Sequence, residues 1–250
     1  MSEAINIPDC MPEGWKTRKK ILVILAHPDD PEFFCGATIA RWTAMGHEVS
    51  YCLLSKGQRG TQDADNDPMV TAGIRMEEQL NAAGVLGVSN VRFLDHMDGD
   101  LVADLRLRNE IIKVIRESKP EIVVSCDPTN LFPADNRINH PDHRATGQVV
   151  LDAIFPAVGN PGYLLDNEEE KIPAHQVEEI WLSLTGQPNL ALNVTETLEI
   201  KIDALLCHQS QLRFTRDELK ANYRSQFEKD PSTGEPAFFE RFRRIKFTAY

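Results

Sequence analysis

Short, uninterrupted apolar runs alternate along the chain with longer stretches of helical periodicity. Residues 21–25, Ile-Leu-Val-Ile-Leu, stand between the basic cluster Arg18, Lys19, Lys20 and a proline-containing turn, and read as a strand buried on both faces of a parallel sheet. Runs of the same kind over 49–54, 91–94 and 121–126 predict three more strands, and 179–184 and 190–194 two others. Between them, apolar spacing predicts helices over 34–45, stopped by Gly46, over 71–86, and over 104–117, where Leu105, Ile111, Ile112 and Ile115 form the stripe. Two more are predicted over 144–155, stopped by Pro156, and over 195–209, with Glu196 and Glu199 in its first turn. Strand and helix alternate through residue 155, which predicts an α/β fold: a three-layer, doubly wound, mostly parallel sheet with helices on both faces. Residues 159–176, rich in Pro, Gly and acids, read as a surface excursion, and 212–250 as a charged helical extension. No linker interrupts the sequence, so 1–250 is expected to form one domain.

Composition narrows the classes of function. The chain is 42% apolar and 26% charged over 250 residues, ordinary for a globular domain with a proper core. A formal charge of -11 argues against a nucleic-acid partner, which would demand clustered Lys and Arg. The short basic runs at 18–20 and 241–246 read as solvated surface. Cysteines at 10, 35, 52, 126 and 207 are odd in number and contain no Cys-x-x-Cys pair, as expected of reduced, mostly buried thiols rather than ligands. Residues 1–15 lack the pattern of a secretory signal, and no apolar run approaches a membrane span, so a cytoplasmic protein without a membrane partner is expected.

The candidate chemistry sits where strands end. Directly after the first strand comes Ala26-His27-Pro28-Asp29-Asp30-Pro31-Glu32, an imidazole and three carboxylates within six residues. In open α/β sheets the pocket lies beyond the carboxyl ends of the strands, so these side chains are delivered to it. A plain acidic helix cap would account for the aspartates alone. A second cluster, Asn139-His140-Pro141-Asp142-His143-Arg144, also lies between a predicted strand and a helix, and two such segments on one sheet edge would converge. Imidazole with carboxylate and without thiolate suits zinc or another borderline divalent metal. Gly57 and Gly60 flank Gln58 and Arg59 in a loop over 55–68 that is long for a strand-to-helix connection. Arg75 and Glu78 lie three apart on one helical face, a spacing that a surface ion pair would also explain. Asp95 to Asp100 forms another polar knot at a strand end.

With these residues in view, the chain resembles the LmbE-like, or PIG-L, family of zinc-dependent N-acetylglucosaminyl deacetylases. The resemblance is carried by AHPDDPEFFCGATIA (26–40) and HPDHRATG (140–147). Weaker echoes are KGQRGTQD (56–63), RMEEQLNAAGVLGV (75–88), LDHMDGDL (94–101) and HQSQ (208–211), so the motif-bearing core spans about 20–211. Pro31 departs from the family pattern at a variable position, and Phe33-Phe34-Cys35-Gly36 stands where small residues and paired glycines are usual.

The resemblance implies a Rossmann-like sheet and a Zn2+ cofactor, another divalent metal remaining open, held by His27, Asp30 and His143. It implies Asp29 as general base and His140 as a protonated group that stabilises the oxyanion, with Asp142 as the orienting partner that raises its pKa. A helix cap is the simpler role for both His140 and Asp142. Arg75 and Asp98 match positions that contact sugar hydroxyls, and Arg59 is a further candidate contact. Glu32 reads as a support or helix-start carboxylate, and His47, His96, His175 and His208 are left out of the metal shell. The implied activity is removal of acetyl from an N-acetylglucosamine-type sugar or glycoconjugate, with a small N-acetylated sugar or glycoside as partner. Residues 128–137 with Phe132, and 159–176, are expected to rim the pocket, and Phe238, Phe239 and Phe242 to suit a homo-oligomer interface. Hydrolysis of another amide or of a phosphate ester stays open as an alternative. A nucleotide-binding module is disfavoured, because carboxylates stand where a G-x-G-x-x-G turn would be needed.

Overall fold

In a computed structural model of the chain, the described residues are 13–61, 63, 65–163 and 172–247. Cys10, most of the segment inspected for a secretory signal, and residues 164–171 of the expected excursion lie outside them. The elements run β1 (Lys20–Leu25), α1 (Asp30–Ala44), β2 (Glu48–Ser55), α2 (Pro68–Val85), β3 (Asn90–His96), α3 (Leu105–Ser118), β4 (Ile122–Cys126) and α4 (Pro141–Asp152). A wider helical turn over Ala153–Val158 extends α4. Then come β5 (Glu179–Ser183), β6 (Leu190–Asn193), α5 (Leu198–Leu205), α6 (Arg216–Arg224), β7 (Glu228–Lys229), β8 (Pro236–Ala237) and β9 (Phe239–Lys246).

Seven strands form one sheet in the order β3-β2-β1-β4-β5-β9-β6. β1 pairs in parallel with β2 on one side and β4 on the other, so the winding reverses between β1 and β4. That reversal opens a crevice at the carboxyl ends of the two strands that precede the His/Asp clusters. The uninterrupted apolar composition of β1 follows from burial on both faces. Ile21, Val23 and Leu25 pack into a core with α1, α2 and α5, while Leu22 and Ile24 point into the other core, with α3 and α4.

The C-terminal segment differs from the expected helical extension. Among the described residues there, only Arg216–Arg224 is helical; β9 enters the sheet antiparallel, between β5 and β6. Its basic run is not freely solvated, because Arg244 grips the Glu179 carboxylate through Nε and Nη2, both at 2.8 Å, and Arg241 meets Glu228 at 2.6 Å. Phe238 and Phe242 are buried in the core and Phe239 is half-buried, so the expected patch of three exposed rings is not formed.

β9 also reaches helix α1, which follows the first His/Asp cluster. Helix α1 is interrupted at Cys35 (φ -151°, ψ 21°), which leaves the following amides without helical acceptors. The Glu240 carboxylate takes them, accepting from Thr38 N at 2.7 Å and Ala37 N at 3.2 Å. Lys201 of α5 neutralises that buried carboxylate at 2.7 Å and donates to the Phe33 carbonyl at 2.9 Å. The loop Phe33–Gly36, whose sequence departs from the family pattern, is thus held by two late elements.

Candidate active site

Beyond Leu25 the chain turns sharply, and α1 begins at Asp30 with Pro31 in its first turn, where the missing N–H is harmless. Asp30 folds back on the strand end: its Oδ2 accepts from His27 N at 2.9 Å and Ala26 N at 3.2 Å. The carboxylate then touches both clusters, with Oδ2 3.4 Å from His27 Nδ1 and Oδ1 3.1 Å from His143 Nε2. Burial would raise its pKa, but the His143 and His27 imidazoles outweigh that and hold it well below the usual carboxylate range.

The other nitrogen of each imidazole has its own partner. His27 Nε2 lies 3.2 Å from both Asp98 Oδ1 and Asp142 Oδ2, and His143 Nδ1 lies 3.2 Å from Asn139 Oδ1. With a proton on each of those outer nitrogens, His27 Nδ1 and His143 Nε2 present lone pairs on either side of Asp30. Ligand atoms about 2.0–2.1 Å from one ion at tetrahedral angles stand roughly 3.3 Å apart. The two Asp30 separations fit that spacing, so His27, Asp30 and His143 form a donor set of the right chemistry for a divalent metal. Among the described residues, the trios that place one ligating atom each within 4.8 Å of one another are His27 with His140 and His143, and His27 with Asp98 and Asp142, whereas Asp30 meets His27 and His143 through its two different oxygens. In the second trio both carboxylates are already spent on N–H donors, which leaves His140 as the competing ligand.

Asp142 does not orient His140 as expected. Its carboxylate faces His27 and accepts from Gly99 N at 2.7 Å and Leu101 N at 3.3 Å, and its backbone N–H alone meets His140, at Nδ1. His140 caps α4 in this way, and its ring stands 4.8 Å from that of His27. Burial and the neighbouring His27 and His143 push its pKa below 6.5, against the pull of Asp142, so the environment favours neutral imidazole rather than the expected protonated form. Asp98 and Asp142 are themselves held below the usual carboxylate range: burial would raise both, but His27 outweighs it together with Arg75 and the Arg59 N–H at Asp98, and with the Gly99 N–H and His140 at Asp142.

Asp29 stands beside this set. Its backbone is left-handed, φ 89° and ψ -27°, a conformation that costs a non-glycine residue about 1–3 kcal/mol and persists only where neighbours hold it. Arg75 of α2 supplies part of the hold: Nη2 donates to Pro28 O at 2.7 Å and Asp29 Oδ2 at 3.2 Å, and Nη1 to Gly57 O at 3.0 Å. Burial raises the Asp29 pKa; Arg75 opposes and Asp30 adds to the rise, which brings it to about 6. Arg75 is therefore no surface partner of Glu78, which instead accepts from Ser210 N and Oγ at 2.7 and 2.6 Å. Gly57 and Gly60 make room for this guanidinium, since a Cβ would fall 2.2 Å from Arg75 Nη1 at the first and 2.3 Å at the second. Arg59 fixes the end of β3, bonding Asp98 O at 2.7 Å and the Asp100 carboxylate at 2.6 and 2.8 Å.

These groups line a cavity of about 980 Å³, at the upper end of small-molecule pockets. His27, Asp29, Asp30, His140 and His143 share it with Arg59, Arg75 and Asp98. Its rim differs from expectation. From the 128–137 loop only Arg137 contributes, and Phe132 points away, 65% exposed. The described part of 159–176 borders a separate cavity of about 640 Å³ beside Phe155 and Phe247. The missed wall comes from late in the chain: Leu212, Phe214, Asn222 and Tyr223 on α6, and Gln226 just beyond it. Gln79, Asn139 and Phe34 were also missed, although Gln79 follows Arg75 by four residues within one quoted motif and Asn139 opens another. Glu32 is fully buried and turned to Gln79 and His208, to which it is bonded. His47, His96 and His175 bond Lys19 N, Glu110 and Pro120 O respectively, outside the site. Among the described residues, Cys35, Cys52, Cys126 and Cys207 are free thiols and no helix is long and apolar enough to cross a membrane.

The chain is similar to known proteins over most of its length. The family model described as PIG-L, GlcNAc-PI de-N-acetylase, matches residues 22–154. The diacetylchitobiose deacetylase of Thermococcus kodakarensis is 34% identical over 199 residues, 80% of this chain and 72% of that protein. A probable N-acetyl-alpha-D-glucosaminyl L-malate deacetylase 2 of Bacillus anthracis is 28% identical over 220 residues, 83% of this chain and 88% of that protein. Among solved structures, the N,N'-diacetylchitobiose deacetylase of Pyrococcus horikoshii superposes with a TM-score of 0.79 at 28% identity, covering 92% of this chain and 85% of that one.

Proposed function

The chain belongs to the PIG-L family, and we propose that it is a metal-dependent N-deacetylase that hydrolyses the acetamide of an N-acetylglucosamine-type saccharide or glycoside. The observation that carries this reading is Asp30 in contact with both His27 Nδ1 and His143 Nε2, next to an Asp29 carboxylate that Arg75 holds through one oxygen. We assign His27, Asp30 and His143 as the metal ligands. Zn2+ is the proposed ion, since two imidazoles and one carboxylate with room for further ligands suit a catalytic zinc site. Such an ion supplies Lewis acidity, which polarises a carbonyl and acidifies water.

The residues divide the remaining work. Asp29, with its pKa near 6, is mostly ionised at neutral pH and still basic enough to take a proton from the attacking water. It then returns that proton to the departing amine, which would otherwise be a poor leaving group. His140 accepts at Nδ1 from the Asp142 amide, so the neutral ring carries its proton on Nε2 and can donate to the oxyanion that forms on the acetyl carbonyl. Asp142 and Asp98 fix the tautomer of His27. Arg59, Arg75 and Asp98 are proposed to meet the sugar hydroxyls along the cavity wall, and the chain's free thiols support a reducing, cytoplasmic setting.

The test is acetate release from N-acetylglucosamine, N,N'-diacetylchitobiose and an N-acetylglucosaminyl malate, with Zn2+ present. The reading expects one or more to be deacetylated. Absence of acetate from all of them in folded, metal-loaded protein overturns it.

A further inference from the structure

Asp29 is the residue on which the proposed chemistry turns, and its backbone sits where L-residues rarely sit. Arg75 grips the carbonyl before it and one carboxylate oxygen, but it leaves the Asp29 N–H untouched. That donor goes to Gln79 Oε1 at 2.8 Å. The same amide donates through Nε2 to Glu32 Oε1 at 2.9 Å, and Glu32 Oε2 lies 3.1 Å from His208 Nε2. Gln79, Glu32 and His208 are each 0% exposed, so none of them meets substrate.

The chemistry of this chain is directional. The Asp29 N–H demands an acceptor and the Glu32 carboxylate demands a donor, and a primary amide supplies one of each. Glu32 therefore fixes which way the Gln79 amide faces, and His208, donating from Nε2, occupies the other Glu32 oxygen. Three elements are joined through it: Glu32 from α1, Gln79 from α2, and His208 just beyond α5. It also employs the two residues of the sequence motifs, Glu32 and His208, that neither the metal site nor the sugar-facing wall requires.

We propose that Gln79 is a positioning residue for the deacetylation, holding Asp29 in its left-handed turn so that the carboxylate faces the reacting centre, and that Glu32 and His208 act by locking the Gln79 amide. This rests on the assignment of Asp29 as the base. Gln79→Met keeps the volume of the side chain and removes both bonds. Misplacement of a reacting group by about 1 Å can cost roughly 10²-fold in rate. The expected result is therefore a fall in kcat of about that size, with KM changed less than about twofold and metal per chain at the wild-type value.

Gln79→Glu separates positioning from general packing. It keeps an oxygen opposite the Asp29 N–H and can share one proton with Glu32, so it should recover part of the lost kcat. A role limited to filling the core predicts the reverse order, because a second carboxyl buried beside Glu32 is worse than an apolar side chain. Crystals of metal-loaded Gln79→Met give a readout that needs no turnover: Asp29 should leave the left-handed region or its carboxylate should rotate away. If kcat of folded, metal-replete Gln79→Met stays within about twofold of the wild type, or Gln79→Glu is the slower of the two, the positioning role is wrong. An unmoved Asp29 in the crystals overturns it equally. Should Gln79→Met not fold, Gln79→Glu and Glu32→Gln carry the same comparison, the latter expected to lower kcat and leave metal binding intact. A wild-type enzyme that releases no acetate refutes the proposed function instead, and the torsion of Asp29 still decides this inference.

Discussion

Replacing Lys201 by Met removes the only charge partner that the described structure gives Glu240, and the consequence can be worked out from the contacts. Both side chains are almost wholly buried, 2% and 3% exposed. Burial alone would lower the Lys201 pKa, yet Glu240 and Tyr223 keep it above 10.5, so Lys201 is charged at neutral pH. Met fits the space left by the aliphatic stem, but Glu240 then keeps a buried charge satisfied only by the amides of Ala37 and Thr38. The Phe33 carbonyl loses its donor as well. Breaking a buried pair from one side costs about 3–5 kcal/mol. For a chain of this size that corresponds to a fall in Tm of roughly 6–20 °C. Thermal or urea unfolding of the variant measures it. Glu240→Gln in the Lys201→Met background removes the stranded charge while keeping an oxygen for the amides, so the double variant should regain about 1 kcal/mol or more over the single one. A loss below about 1 kcal/mol for Lys201→Met, as for an exposed pair, would refute the reasoning.

Other consequences are equally direct. Asp29→Asn should retain the metal and lower kcat by about 10²- to 10⁴-fold, and loss of the metal together with activity would make Asp29 a ligand rather than a base. Gly60→Ala drives a methyl to 2.3 Å from Arg75 Nη1 and should cut kcat/KM at least tenfold, about 1.4 kcal/mol, with little change in Tm; unchanged kinetics would show that the place of Arg75 is immaterial. Acid should unfold the protein partly through Glu179, where bonds from Arg244, Trp181 and Trp15 outweigh burial and depress the pKa. A depressed acid contributes stability above its unfolded pKa, near 4.5, and loses it as pH falls through the folded value, so Glu179→Gln should flatten the decline in stability below that pH. A decline of the same steepness in the variant would count against this assignment.

How much of this could be read from sequence depended on how local the cause was. β1, β2 and β4 announced themselves because burial on both faces leaves mostly apolar residues. The two His/Asp clusters were legible because each lies at a strand end, and strand ends in this kind of sheet share one crevice. β9 was not legible: its arginines look like a charged helix until Arg244 is seen against Glu179, 65 residues away. Helix α1 was expected to start at 34 but starts at Asp30, since its first turn is built for ligation and carries no apolar stripe. The partner of Asp142 was misjudged for the same reason. Adjacency in sequence suggested His140, whereas the fold places His27, 115 residues distant, against its carboxylate. The α6 wall of the cavity had no local signature, since Tyr223 and Asn222 gain their role only from what α6 packs on.

The proposed chemistry requires that His27, Asp30 and His143 hold an ion without which the acetamide is not cleaved. Acetate release from N,N'-diacetylchitobiose by chelator-stripped protein, followed as Zn2+ is added back, measures this. Activity should start near zero, rise to a plateau at one ion per chain, and show no recovery at matched Zn2+ in His143→Ala. Full activity in the stripped protein, or full recovery by the His143→Ala variant, would contradict it.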